Sequence, residues 1–142
     1  MLLRMLKDVL RDVLRGAPSP ADAEVNPLGE LFEKHSGRLV GKWLHYLDVY
    51  HRHFSRYRGR SPVVLEIGVF HGGSLELWHK YFGAGLRLYA IDIDPECRKF
   101  EDGKTRILIG DQADRAFLAQ VRREVPPVDI LIDDGGHTMD QE

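Results

Sequence analysis

Cysteine is nearly absent from the chain. Cys97 stands alone, so no internal disulfide can form, and no Cys/His cluster has structural-zinc spacing. The compartment expected from this is a reducing, cytoplasmic one. A long apolar run is missing as well. The leucine-rich start, Met1 to Leu14, is interrupted by Arg4, Lys7, Asp8, Arg11 and Asp12 and is followed by no small-residue cleavage site, so it reads neither as a membrane span nor as a signal peptide. Charge of one sign is not in excess either. Twenty Lys and Arg stand against 22 Asp and Glu, interspersed along the chain, which argues against a strongly basic nucleic-acid binder and against an acidic disordered tail. No internal repeat or low-complexity run occurs, and 142 residues suffice for one ordinary domain with one core.

What is present divides into two parts. In residues 1–27, Leu3, Leu6, Leu10 and Val13 form one helical stripe that needs a partner, either this protein, a second copy or a membrane surface. Gly16 to Pro27, with three prolines, then reads as a linker. Residues 28–142 form the body. From Lys42 onward, Trp43, Leu47, Tyr50, Phe54 and Tyr57 recur at steps of three and four, which predicts a helix with an aromatic buried face, stopped by Gly59 and Pro62.

Strand-like and helix-like segments alternate after that. Val63 to Ile67, Leu86 to Ile91, Thr105 to Ile109 and Val128 to Ile132 read as strands. Ser74 to Phe82 reads as a helix burying Leu75, Trp78 and Phe82, and Asp114 to Glu124 as one burying Phe117, Leu118 and Val121. The fold class expected is α/β, a Rossmann-like parallel sheet flanked by helices, with about four strands present and helices ahead of them.

In such sheets ligands bind beyond the carboxyl ends of the strands. Each predicted strand ends in acidic or glycine-rich residues: Glu66-Ile67-Gly68-Val69-Phe70-His71-Gly72-Gly73-Ser74, then Asp92-Ile93-Asp94, then Gly110-Asp111-Gln112, then Asp133-Asp134-Gly135-Gly136-His137. The interval from Gly73 to Asp92 suits the dinucleotide fingerprint, so a nicotinamide or flavin cofactor has to be weighed. Phe70 stands where that fingerprint needs its second glycine, and Glu66 would set a carboxylate near a diphosphate. A ligand with an ammonium group and no phosphate fits better on charge.

On these residues the stretch from about Lys42 to Glu142 resembles the class I S-adenosylmethionine (SAM) methyltransferases. It is most similar to the metal-dependent small-molecule O-methyltransferases that include the macrocin- and mycinamicin-type sugar enzymes and the cephalosporin hydroxylase-like group. The run Val64-Leu65-Glu66-Ile67-Gly68 with Gly72-Gly73-Ser74-Leu75, the pair Ile91-Asp92, the triplet Gly110-Asp111-Gln112 and the run Ile132 to His137 carry the resemblance.

The resemblance implies methyl transfer from SAM to a hydroxyl of a small molecule or sugar in natural product biosynthesis. Glu66 and Gly68, with Gly72 and Ser74 of the same loop, would line the methionine and ribose end of SAM. Asp92 would hold the ribose hydroxyls, Asp111 and Gln112 would lie near the adenine, and Asp133 would border the cofactor. Asp134 would ligate a divalent ion, magnesium, and His137 would be the general base, with Asp133 and Asp134 able to exchange roles. Plainer readings stand beside these: Glu66 as a cap of the following helix, Asp94 as the N-cap of a short helix before Pro95, and the last run as a tight turn. His71 could border the site. His51 and His53, among Arg52, Arg56, Arg58 and Arg60, read as a solvated face or an anion site. A non-catalytic nucleotide-binding or assembly module on the same fold is the alternative function.

A complete domain of this class has strand order 3-2-1-4-5-7-6, and Thr138-x-x-Gln141 has the form of a capping box that opens a helix as the sequence stops. The expectation is therefore a truncated, catalytically inactive span whose fourth strand is an open edge, so that it self-associates as a homo-oligomer.

Overall fold

A computed structural model describes residues 26–136. The N-terminal amphipathic stripe, most of the proline-bearing linker, His137 and the Thr138–Gln141 capping box lie outside the described residues.

Asn26 and Pro27 open the first described helix, α1 (Pro27–Glu33), where the sequence pattern predicts only the end of a linker and the start of the body. The signal was there. The Asn26 side chain accepts from the Leu28 and Gly29 N–H groups at 3.0 and 3.2 Å, and Pro27 supplies the fixed φ of a first helical residue. Next comes α2 (Leu44–Phe54), prolonged by a 3-10 turn at Ser55–Tyr57. Four parallel strands then alternate with two α-helices and a 3-10 stretch: β1 (Val63–Ile67), α3 (Gly73–Phe82), β2 (Arg87–Asp92), the 3-10 stretch (Pro95–Phe100), β3 (Thr105–Ile109), α4 (Arg115–Glu124) and β4 (Ile130–Asp133).

The sheet order is β3-β2-β1-β4. Val64 of β1 aligns with Leu88 of β2 on one side and Ile130 of β4 on the other, so the chain reverses direction across the sheet at β1. This is the parallel α/β arrangement expected from the alternating pattern. It places the β1 tip at the switch point where a ligand crevice opens.

Two apolar layers cover the sheet. The larger holds Trp78, Tyr81 and Phe82 of α3, Leu47 and Phe54 of α2, Leu28 of α1 and the inward residues of the strands; the smaller holds Ile91, Leu108, Val121 and Val125. Aromatic rings knit α2 to α3: Tyr50 meets Trp78 edge-on at 5.5 Å, and Phe54 lies 6.2 Å from both Trp78 and Phe82. Such pairs add about 0.5–1.5 kcal/mol each beyond their buried area.

Two expected core residues are elsewhere. Trp43 is 72 % exposed, because the helix begins one residue later and Trp43 sits at its N-cap in an extended conformation (φ −66°, ψ 129°), off the helical stripe. Leu118 is 39 % exposed; α4 meets the sheet through Val121 and half-buried Phe117, and the turn between them carries Leu118 outward.

Candidate functional site

The strand tips are held in step by backbone bonds that continue past the strands. Gly68 N donates to Ile91 O at 2.8 Å, Gly110 N to Asp92 O at 2.9 Å and Asp134 N to Ile67 O at 2.9 Å. Gly68 has φ +91°, and a Cβ there would overlap the backbone carbonyl of Asp134. Glycine is therefore required both by conformation and by the closeness of the β4 exit.

A cavity of about 530 Å³ opens over these tips, lined among others by Gly68, Asp92, Asp111, Gln112 and Asp134. Those five predicted site residues are brought together. Glu66, Gly72 and Ser74 are buried behind the cavity wall, and Asp133 ends β4 exposed to solvent without lining it. Phe70 and His71 also line the cavity. The basic stretch before β1 has structural partners instead: His51 Nδ1 lies 2.7 Å from the Tyr81 hydroxyl, and Arg58 Nε donates to Tyr81 O at 3.2 Å.

Asp92 organises the loop after β1. Its Oδ2 accepts from Val69 N at 2.7 Å and Phe70 N at 3.1 Å, and its Oδ1 accepts from Asp94 N at 2.9 Å. Burial works against the carboxylate, but the N–H groups of Asp94, Val69 and Phe70 outweigh it and hold its pKa below the ordinary value. Phe70 is held at φ +52°, a conformation that costs a non-glycine residue about 1–3 kcal/mol and persists only where neighbours enforce it. Here the enforcing group is Asp92. Asp94 both lines the cavity and caps the 3-10 stretch, accepting from Glu96 N at 2.9 Å. Gln112 ties the third tip to the fourth, accepting from Gly136 N at 3.3 Å and donating to Gly136 O at 3.4 Å.

Glu66 does something the sequence did not announce. It is 0 % exposed. Its Oε2 accepts from Ser74 Oγ at 2.9 Å, and its Oε1 accepts from Lys42 Nζ at 3.2 Å. It does not cap α3, whose N-cap is Gly72 with no side-chain bond. The same ammonium donates to Asp134 Oδ2 at 2.5 Å, so a lysine side chain only 2 % exposed joins a buried carboxylate of β1 to a partly exposed one beyond β4. Burial pushes the Glu66 pKa up; Lys42 and Ser74 pull it back in part. Burial also works against the Lys42 ammonium, yet Glu66 and Asp134 hold its pKa above the usual 10.5.

Lys42 reaches this position because the segment before it crosses the start of α3. A Cβ on Gly73 would overlap the backbone carbonyls of Arg38 and Leu39. Glu76 clamps that segment, accepting from Arg38 N at 2.9 Å and pairing with Arg38 Nε at 2.9 Å. No local pattern marks Lys42, since its partners lie 24 and 92 residues away.

The cavity lining carries five carboxylates (Asp92, Asp94, Glu96, Asp111, Asp134) against one lysine, Lys99. It suits a cationic ligand and opposes a polyphosphate. The fit to SAM is good on charge and on size, since ligand pockets run to about 300–1,000 Å³. For a divalent ion, Asp133 and Asp134 offer oxygen donors of the right kind. Among the described residues, however, no group of three or more His, Cys, Asp or Glu could hold a metal, and Lys42 already occupies one oxygen of Asp134. No described helix is long and apolar enough to cross a membrane.

No family model matches the chain. It is 36% identical over 124 residues to the 8-demethyl-8-(2-methoxy-alpha-L-rhamnosyl)-tetracenomycin-C 3'-O-methyltransferase of Streptomyces olivaceus, a match covering 82% of this chain and 31% of the relative. It is 40% identical over 118 residues to the mycinamicin VI 2''-O-methyltransferase of Micromonospora griseorubida, covering 78% and 29%. Among solved structures it is similar to the MycE methyltransferase from the mycinamycin biosynthetic pathway in complex with Mg, SAH and mycinamycin VI. There the TM-score is 0.66 at 35% identity, over 78% of this chain and 30% of that one. The chain thus spans about a third of the length of the curated relatives it matches. Sequence and backbone agree that its homologues are the macrocin- and mycinamicin-type sugar O-methyltransferases, with which it shares part of the class I methyltransferase fold.

Proposed function

We propose that this chain supplies the SAM-binding part of a cytoplasmic O-methyltransferase that acts on a sugar hydroxyl of a small natural product, with a divalent ion in the complete site. The observation that carries the reading is the cavity at the switch point of the sheet, whose five carboxylates and single lysine favour a sulfonium- and ammonium-bearing nucleoside over a dinucleotide. The tetracenomycin relative, whose name carries a rhamnosyl group on its acceptor, supports the acceptor class.

When bound, SAM supplies an electrophilic methyl group on its sulfonium. The chain's own residues bind and orient it. Asp92, ionised at neutral pH, is the residue assigned to the ribose hydroxyls, and the same carboxylate holds the loop through the Val69, Phe70 and Asp94 N–H groups. Asp111 and Gln112 border the base, and the Gly68 backbone lets the ligand approach the β1 tip. Glu66 acts from behind the wall through Lys42, which fixes the carboxylate of Asp134 at the acceptor side. His137 is the proposed proton acceptor for the sugar hydroxyl, and Asp134 the proposed magnesium ligand, its further donors coming from outside the described residues. Among the described residues β4 pairs only with β1.

Titration calorimetry with S-adenosylhomocysteine (SAH) and with NAD⁺ tests the cofactor assignment. Heat with SAH and none with NAD⁺ is expected. Absence of binding to SAH, or preference for the dinucleotide, would overturn it.

A further inference from the structure

Among the described residues, four large apolar side chains stand exposed within one short stretch: Leu39, Trp43, Leu44 and Tyr46. The last three line a hollow of about 430 Å³ together with Gly41, Lys42 and Asp134. They are firmly placed. The buried Lys42 side chain anchors the segment immediately before Trp43, and the Trp43, His45 and Tyr46 rings contact one another in sequence at centroid distances of 6.2 and 4.5 Å. An apolar patch held this way marks a surface that another element covers.

The sequence ahead of α1 carries a matching surface. Leu3, Leu6, Leu10 and Val13 fall on one stripe of a helical pattern in residues 1–14. A helix so short is marginal in water by itself, and it forms only if its apolar stripe is packed against something. We propose that residues 1–14 fold back as a helix onto the same chain, with this stripe seated on Trp43, Leu44 and Tyr46.

The place where the segment joins the body supports this first. Asn26 Nδ2 donates to Asp48 Oδ1 at 2.6 Å, which pins the chain to α2 directly after the linker. Asp48 follows Leu44 by four residues, so the two share one face of α2 about one turn, 5.4 Å, apart. Residues 16–25, between the stripe and this anchor, span at most about 33–36 Å when fully extended. The patch lies well inside that reach. So short a tether holds the segment near the patch at an effective concentration in the millimolar range, which favours its own chain over a second copy in dilute solution.

Charge supports it next. Arg4, Lys7, Arg11 and Arg15 outnumber Asp8 and Asp12 in the segment and its first linker residues. The rim of the patch is acidic. Asp48 and Asp134 are exposed there, and the Lys42 ammonium beside them is already engaged by Glu66 and Asp134. A basic amphipathic helix therefore meets both the apolar surface and the carboxylates around it.

The two tryptophans make the test direct. Trp78 is fully buried and reports on the core, whereas Trp43, read as the difference between the chain and its Trp43→Phe variant, reports on the patch. Acrylamide quenching of the full chain should find Trp43 shielded at every protein concentration. Leu6→Glu with Leu10→Glu should abolish that shielding, while Asp8→Asn, on the opposite face of the helix, leaves it in place and Trp78 stays shielded throughout. If the charged pair also opens Trp78 to the quencher, Leu6→Ala with Leu10→Ala reads the same loss at Trp43 without adding charge.

A Trp43 side chain open to acrylamide in the unmodified chain overturns the proposal. So does shielding that survives both stripe variants, which would assign the cover to another segment. Shielding lost on dilution would assign it to a second copy, and shielding that appears only with vesicles of anionic phospholipid would assign the stripe to a lipid surface; either result overturns it as well.

Discussion

Replacing Lys42 with methionine would remove the ammonium that compensates Glu66 while keeping most of the side-chain volume. Glu66 is 0 % exposed, and only the neutral donors Ser74 Oγ and the Trp78 indole would remain beside it. Breaking a buried pair on one side costs about 3–5 kcal/mol, a large share of the roughly 5–15 kcal/mol that holds a domain together. With an unfolding entropy of about 2.1 cal/mol/K per residue, a chain of 142 residues should lose about 10–17 °C in Tm. The second variant, Lys42→Met with Glu66→Gln, removes the stranded charge and should recover much of the loss.

Thermal unfolding followed by circular dichroism at several pH values provides the assay. Burial raises the Glu66 pKa in the folded protein, so the folded state holds its proton more tightly than the unfolded one. The resulting stability is fully present below the unfolded carboxyl value and is lost as pH rises through the folded value. Without Lys42 to pull that value down, the single variant should be relatively more stable in mild acid than at neutral pH. In the unmodified chain, the contribution of Lys42 is present below its unfolded value of 10.5 and is lost as pH rises through its higher folded value. A Tm drop smaller than about 3 °C at neutral pH, or equal losses in the single and double variants, would refute the claim that an uncompensated Glu66 is the source of the cost.

Asp92→Asn puts an amide where three backbone N–H groups donate. It should weaken SAH binding by about 10- to 100-fold in calorimetry, and unchanged affinity would remove Asp92 from the cofactor site. Gly68→Ala adds a Cβ against the Asp134 carbonyl at a positive φ. A fall in Tm together with loss of SAH binding is expected, whereas a neutral result would show that the β1 and β4 tips are further apart than described. Cys97 is buried, and burial with the nearby Asp92 charge pushes its thiol up to about 11. Ellman's reagent at pH 8 should react slowly with the folded chain and quickly in urea; immediate reaction with the folded chain would contradict the burial.

Much of the scaffold was legible from local pattern. Val63–Ile67 and Thr105–Ile109 are strands with the bounds their β-branched and apolar runs suggest, and β2 begins and ends one residue later than the run Leu86 to Ile91. The convergence of Gly68, Asp92, Asp111, Gln112 and Asp134 on one cavity also followed from the sequence, because parallel alternation puts every strand's carboxyl end on the same side. The first helix has only the short Asn26-Pro27 signature to mark it, and apolar periodicity places Trp43 in the core because a periodic count does not show where a helix begins.

The sequence alone thus determined the alternation of elements, the sheet they build and the acidic character of the strand tips, since these depend on neighbours a few residues apart. Only the tertiary structure decided that Glu66 lies behind the cavity wall rather than in it, that Lys42 joins it to Asp134, and that Trp43 and Tyr46 face water beside the same carboxylate. The physical reason is distance along the chain. A charge pair spanning 24 or 92 residues leaves no periodic trace, and it exists because Gly73 and Glu76 let one extended segment cross the start of α3.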